Sequence, residues 1–280
     1  MHFQSLHLIL YGFLNWNTDM NDVLFELENK VLTIKFNRPD KLNPIGDTII
    51  PYAIDRIKEA VTDSGVGAIV VTGAGRAFCA GGDVSGMSEQ YEEKTFDHSV
   101  QKLRNDQELP RLLHSVPKVT IAAVNGFAMG AGLGLATSCD LRLASAGAKF
   151  GTAYANVGYG GDYGTTWNLT RLLGEAKAKE LFFLPDVIDA EEALRIGLVN
   201  RVLPAETFMK DAQEVAQRIA NGPLVSYRWM KENINQSSVV DFETMLDKES
   251  VTHTLCGATE DHQEGVTAFM EKRQPSFKGH

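Results

Sequence analysis

From Val23 the segment VLFELENKVLTIKF alternates apolar and polar residues about a polar centre, which predicts a hairpin of two half-buried strands ended by Pro39. Apolar positions at helical spacing over Thr48 to Thr62 predict a helix. The continuously apolar GVGAIVVTG that follows predicts a buried strand. The rhythm repeats with a strand over Lys118 to Asn125, a small-residue helix over Gly130 to Thr137, and a strand over Leu141 to Ala144. A glycine-rich stretch at 158 to 164 comes next. Strand and helix units of this length imply an α/β core with a buried sheet. Beyond Leu169 the pattern turns helical, over Ala176 to Leu184, Ala190 to Ile196, Ala205 to Asn221 and Leu224 to Asn235, with breaks at Pro185, Gly197 and Pro223.

The division expected from this pattern is an N-terminal extension over 1–19, a core over 20–200 and a helical region over 201–280. The extension carries a short apolar run without a basic residue before it or a small-residue cleavage pattern after it. That fits neither a secretory signal nor a membrane span, and leaves an appended segment or an amphipathic anchor.

Composition narrows the function. With 280 residues, 44% hydrophobic and 22% charged, the chain can bury a sizeable core. A net charge of -9 argues against a surface that tracks nucleic-acid phosphates, which needs a basic excess. Cys79, Cys139 and Cys256 are odd in number and widely spaced, so neither a disulfide framework nor a zinc site is suggested, and a reducing cytoplasm is expected. No GxGxxG follows a strand, and no GxxxxGK[ST] is present, which removes the dinucleotide and phosphate-loop readings.

Two small-residue turns remain. RAFCAGGD, Arg76 to Asp83, follows a predicted strand and can bring main-chain amides close to a ligand. NGFAMGAGLGLATSCD, Asn125 to Asp140, opens a helix at Gly130, Ala131 and Gly132, whose unpaired first amides favour negative charge. Together they could converge on one oxygen, although a glycine-rich turn alone is more often a packing device.

The blocks NRPDKLNP, GAGRAFCAGGD, PKVTIAAVNGFAMGAGLGLATSCDLRLAS and TEDHQEGVTAFMEKRQPSFKG, in that order from residue 37 to 279, resemble the signature blocks of the crotonase superfamily, the enoyl-CoA hydratase/isomerase family. The resemblance runs from about Met20 to the end. It implies a core of repeated ββα units, a helical region that packs as a homotrimer or a hexamer of paired trimers, and an acyl-CoA thioester as substrate. Coenzyme A then enters with the substrate and no separate cofactor is implied. The oxyanion hole carried over is the pair of amides of Ala80 and Ala131. Lys41, Ala77, Phe78, Gly81, Asp83, Gly130, Tyr154 and Tyr159 are expected around the substrate, and Lys272, Arg273 and Lys278 could meet CoA phosphates. Asp83 and Asp140 would equally serve as braces of their turns.

The chain departs from the family's simple hydratases, which position water with two glutamates. The matching positions here are Gly134 and Tyr154. One acid, Asp162 in VGYGGDYGTTW, stands where related dienoyl-CoA isomerases and aryl-CoA dehalogenases place an aspartate. It would act as a general acid/base if burial raises its pKa, or as an ionised nucleophile, or merely form a turn beside its glycines. Tyr154 and Tyr159 could donate to substrate or line its apolar pocket. His98 and His262 read as surface histidines. The expectation is therefore an isomerase or atypical lyase; a nucleophilic or hydrolytic enzyme and a CoA-binding protein without chemistry are the alternatives.

Overall fold

The computed structural model describes Thr18–Asp19 and residues 22–83 and 95–280. The expectation for most of the N-terminal extension lies outside the described residues.

Strands β2 (Val23–Glu28) and β3 (Val31–Phe36) form the expected hairpin. Asn29 and Lys30 between them both have positive φ, 49° and 64°. That is the left-handed pair of a type I′ turn, whose twist matches the flanking strands. A two-residue strand β1 (Thr18–Asp19) pairs antiparallel with β2. Helix α1 (Ile50–Thr62) buries Ile50, Ala53, Ile57 and Ala60, one face at helical spacing. The strands β4 (Ala68–Gly73), β6 (Val119–Val124) and β8 (Leu141–Ser145) continue the sheet in parallel from β3.

A second sheet was not legible in the sequence. Its strands β5 (Ala77–Cys79), β7 (Phe127–Met129), β9 (Lys149–Gly151) and β10 (Ile188–Asp189) are two or three residues long, too short to show a period. The large sheet runs β1-β2-β3-β4-β6-β8-β11 and the small one β10-β9-β7-β5, so successive turns of chain contribute a strand to each. The returning helices are α2 (Phe96–Asp106) with α3 (Glu108–Ser115), then α4 (Ala131–Ser138), then α5 (Thr165–Phe183). This is the repeated ββα superhelix. Helix α5 starts eleven residues before the predicted Ala176, because Gly174, at φ 78° and ψ 163°, kinks one helix into two segments.

Side chains on the parallel strands alternate between two cores. Leu32, Ile34, Ile69, Val71, Ala122 and Val124 face inward to α1, α3 and α4. Val31, Ala68, Val70, Ile121, Ala123 and Leu143 face α7 (Phe208–Ala220), which presents Phe208, Ala212, Ala216 and Ala220 at four-residue intervals. Because β11 (Arg201–Leu203), which follows the short α6 (Ala190–Arg195), pairs with β8, and α7 covers the sheet, the core extends past residue 200 to about 222. Helices α8 (Leu224–Gln236), α9 (Phe242–Gly257) and α10 (Glu260–Glu271) follow. Lys231 of α8 docks on the core, its buried ammonium 2.8 Å from Asp140 and donating to the Leu113 and Lys118 carbonyls. Among the described residues no helix is long and apolar enough to cross a membrane.

Candidate active site

The AGGD turn is held from both sides by asparagines. Asn43, fully buried at φ 54°, donates to the Ala74 and Ala77 carbonyls and accepts the Arg38 amide. Asn125 donates to the Gly75 and Ala77 carbonyls and accepts the Gly73 amide. Gly73 must be glycine, since a Cβ there would lie 2.1 Å from the Ala77 carbonyl oxygen. Arg38 pairs with Asp83 at 2.8 Å, so Asp83 braces the turn. Burial pushes the Cys79 thiol up to about 12, which makes it an inert packing group.

The turn's amides do not all face the same way. Ala80 donates to the Leu42 carbonyl at 3.0 Å, so the amide expected in the oxyanion hole is already committed. The bridge between Ile45 and Gly82 uses the Gly81 carbonyl and the Asp83 amide, both turned toward Ile45. In such a bridge the N–H of Gly82 itself points to the opposite side, and among the described residues it has no acceptor. Gly82 is exposed, with open space where a side chain would stand.

Facing this turn is the start of α4. Gly130, at φ 52°, donates to the Gly151 carbonyl and turns the chain into the helix. The Ala131 amide that follows has no acceptor among the described residues. Its nitrogen lies 4.0 Å from the point where a Cβ on Gly81 would be. Gly132 packs with its Cα against the Cys79 carbonyl, where a Cβ would approach to 2.1 Å. The two turns are thus locked together by backbone contact, with the free amides of Gly82 and Ala131 on adjoining segments.

Asp162 lies at the end of the glycine-rich loop, where Gly158, Gly161, Tyr163 and Gly164 all have positive φ. Its carboxylate accepts from the Tyr154 phenol at 2.7 Å, and Tyr154 is also 2.8 Å from the Thr165 hydroxyl. Desolvation raises the pKa of the half-buried Asp162, and the Tyr154 bond works against that rise. Burial raises the pKa values of Cys79, Tyr154 and Tyr163, and the charge of Asp162 adds to the rise in each. Tyr154 is buried, its ring stacked on Phe182 at 5.7 Å.

A side chain at Gly134 would have to displace its neighbours. A Cβ there would come within 2.7 Å of the Thr165 hydroxyl oxygen, 2.7 Å of the Tyr163 Cβ and 2.9 Å of the Tyr163 carbonyl oxygen. Tyr163, buried at φ 50°, fills the space.

Of the other predicted residues, Ala77 and Phe78 are fully buried, with Phe78 edge-on to Phe36, so their side chains belong to the core. Lys41 is exposed on a 3-10 turn, one residue before Leu42, and Tyr159 is exposed beyond Tyr154. His98 and His262 are exposed. Arg273 is paired with Glu264 and Glu271, and Lys278 with Glu260. Sequence reasoning missed Thr165, Tyr163, Asn43 and Asn125. Only Thr165, three residues after Asp162, has a local spacing that signals its bond to the Asp162 carbonyl. A cavity of about 710 Å³ at the other end of α4, lined by Arg142, Trp167, Arg171 and Lys231, contains none of these groups.

The fold is a ββα core that carries, on adjoining turns, two main-chain amides unpaired among the described residues, and a half-buried acid on the glycine-rich loop. Residues 26–280 match the enoyl-CoA hydratase/isomerase family. Short-chain-enoyl-CoA hydratase of Clostridium acetobutylicum is 39% identical over 259 residues, covering 91% of this chain and 97% of the relative. The 1,2-epoxyphenylacetyl-CoA isomerase of Escherichia coli is 35% identical over 260 residues, covering 93% and 99%. The crystal structure of an enoyl-CoA hydratase from Bacillus anthracis superposes with a TM-score of 0.86 at 29% identity, covering 92% of this chain and all of that one. The chain belongs to the enoyl-CoA hydratase/isomerase family and is an acyl-CoA enzyme of that family.

Proposed function

We propose that the protein is an isomerase of unsaturated acyl-CoA thioesters in which Asp162 carries a proton between two carbons of the acyl chain. The observation that carries this reading is the half-buried Asp162, its pKa raised by desolvation, beside a Gly134 position closed to any second acid. A carboxyl whose pKa is raised by burial is a stronger base than an ordinary one, which suits proton transfer better than attack by a permanently ionised nucleophile.

On a β,γ-unsaturated thioester, Asp162 removes a proton from the carbon next to the carbonyl. The electron pair moves onto the thioester oxygen, where the amides of Ala131 and Gly82 stabilise the enolate. Gly82 replaces Ala80 in this role because the Ala80 amide is spent on Leu42. Asp162 then returns the proton to the γ-carbon, the enolate collapses and the double bond ends in conjugation. Losing one donor from such a hole costs about two to three powers of ten in rate. Water addition is disfavoured because the side chains of Tyr163 and Thr165 occupy the place of a water-holding carboxylate.

The test is to mix purified protein with 3-hexenoyl-CoA and with crotonyl-CoA and follow the conjugated enoyl absorbance. Growth with the first, little loss with the second, and a fall of about 10² to 10⁴ in Asp162→Asn support the reading. Brisk hydration of crotonyl-CoA that survives Asp162→Asn sinks it. A mass increase trapped on Asp162 would instead favour the nucleophilic alternative, and bound CoA thioester without turnover the non-catalytic one.

The same reading extends to assembly as a homotrimer or a pair of trimers. Phe242, Phe269 and Met270 on α9 and α10 are 76%, 82% and 75% exposed, far more than isolated surface apolar residues need. Light scattering on the full chain should give three or six times the mass of 30.8 kDa; a monomer refutes it.

A further inference from the structure

We infer that Tyr154 is a positioning residue for Asp162: its phenol, braced by Thr165, fixes one carboxylate oxygen and so presents the other to the substrate. The inference rests on the reading of Asp162 as the proton carrier, and its test separates the two.

Tyr154 occupies the position that holds an acid in the family's simple hydratases, yet its hydroxyl reaches inward. Its phenol donates to Asp162 Oδ1 at 2.7 Å and lies 2.8 Å from Thr165 Oγ1. With the phenol proton committed to Asp162, the Thr165 hydroxyl is the donor in their contact, or it turns to the Asp162 carbonyl oxygen 2.9 Å away. Thr165 is fully buried and Tyr154 is 5% exposed, its ring stacked on Phe182, and of the acceptors in reach of the phenol the Asp162 Oδ1 is the nearest, with the Asp162 carbonyl oxygen farther at 3.4 Å. Gly130 at the start of α4 comes within 3.9 Å of the ring, measured from the place of a Cβ, which ties this tyrosine to the helix that supplies the Ala131 amide.

The second oxygen, Oδ2, has no partner among the described residues. The asymmetry settles which oxygen works. Oδ1 keeps the phenol whether or not the carboxyl is protonated, and the proton taken from carbon resides on Oδ2. A donor held against a carboxylate strengthens when the group is ionised, so Tyr154 opposes the desolvation that raises the Asp162 pKa. The titratable groups around Asp162 among the described residues are Tyr154 on the 3-10 turn (Tyr154–Val157), Tyr163 on the loop and Cys79 on β5; Asp106 on α2 acts on Tyr163. None is a cation, which leaves the phenol as the group that offsets burial.

The experiment compares wild type, Tyr154→Phe and Thr165→Val. In protein labelled with ¹³C at aspartate carboxyls, the Asp162 signal is assigned by its loss in Asp162→Asn and titrated. Without the phenol the carboxylate loses its donor, so its midpoint should rise by about one pH unit in Tyr154→Phe. Thr165→Val, which leaves the phenol but weakens it as a donor, should move it less in the same direction. The acid limb of kcat/KM for 3-hexenoyl-CoA should follow to higher pH, since the ionised form is the working base. Unmoved midpoints in both variants, even with a lower plateau rate, overturn the inference and reduce Tyr154 to packing. A raised midpoint in a protein that isomerises no thioester upholds the pairing and overturns the proton-carrier reading alone.

Discussion

Replacing Gly134 with alanine should destabilise the protein although alanine is the better helix former. The propensity gain for a helix-interior glycine is about 1 kcal/mol. Against it stand three contacts at 2.7, 2.7 and 2.9 Å, about 1 Å inside the normal separation, and one of them is a backbone oxygen that cannot rotate away. Overpacking of a tight core costs about 1–3 kcal/mol. Because Tyr163 is itself held at positive φ, the upper end applies, leaving a net loss of about 2 kcal/mol and a fall in Tm of about 4–8 °C. Gly257, the last residue of α9, is the control, since a Cβ there meets nothing within 4 Å. Gly257→Ala should be neutral or raise Tm by about 2 °C. Calorimetry of the two variants beside wild type reads the opposite signs. Grafting the missing acid by Gly134→Glu should likewise fail to create crotonyl-CoA hydration, because the same Cβ displaces Tyr163 before any carboxylate is placed. A Gly134→Ala protein as stable as Gly257→Ala, or a hydrating Gly134→Glu, would show that the Tyr163 segment yields freely and that the closed-position argument is wrong.

Lys231→Ala should cost about 3–5 kcal/mol in denaturant titration, since it leaves the Asp140 carboxylate without its ammonium partner, and a loss below 1 kcal/mol would contradict a buried pair. With the Cys79 and Cys139 thiols buried and pushed up to about 12, native protein at pH 8 should be alkylated quickly only at Cys256, and at all three cysteines after unfolding; intact-mass measurement counts the adducts. Gly82→Pro, which removes the proposed hole donor, should lower kcat by about two to three powers of ten while a thioester still binds, and full activity would return the role to another amide.

The parts of the fold that were legible are those with a period. The β2–β3 alternation, the apolar runs of β4 and β6 and the spacing of α1 all declare themselves along the chain. The small sheet does not, since three-residue strands have no period and are defined by partners far away. The site divides similarly. The small-residue turns and Asp162 stand out by residue type, but which amide of the AGGD turn is left unpaired depends on the Ile45 bridge and on the positive φ of Gly81, neither of which is declared locally in the chain. The resemblance put Ala80 in the oxyanion hole by motif position, and a motif does not show that the Ala80 amide is bonded to the Leu42 carbonyl. Tyr154 was expected to donate to substrate or to line the acyl pocket, because nothing local reveals that a 3-10 turn folds its hydroxyl back onto Asp162.

The twin asparagines have a consequence for how the protein reaches its working form. The Ala77 carbonyl is gripped by Asn43 from 34 residues earlier and by Asn125 from 48 residues later. Neither grip exists until β3, β4 and β6 have come together, and contacts across such separations are gained slowly because loop closure precedes their reward. The AGGD turn should therefore be among the last parts to take shape during refolding, so that recovery of thioester binding lags behind recovery of helical signal. A nascent chain would stay catalytically silent until its sheet had closed.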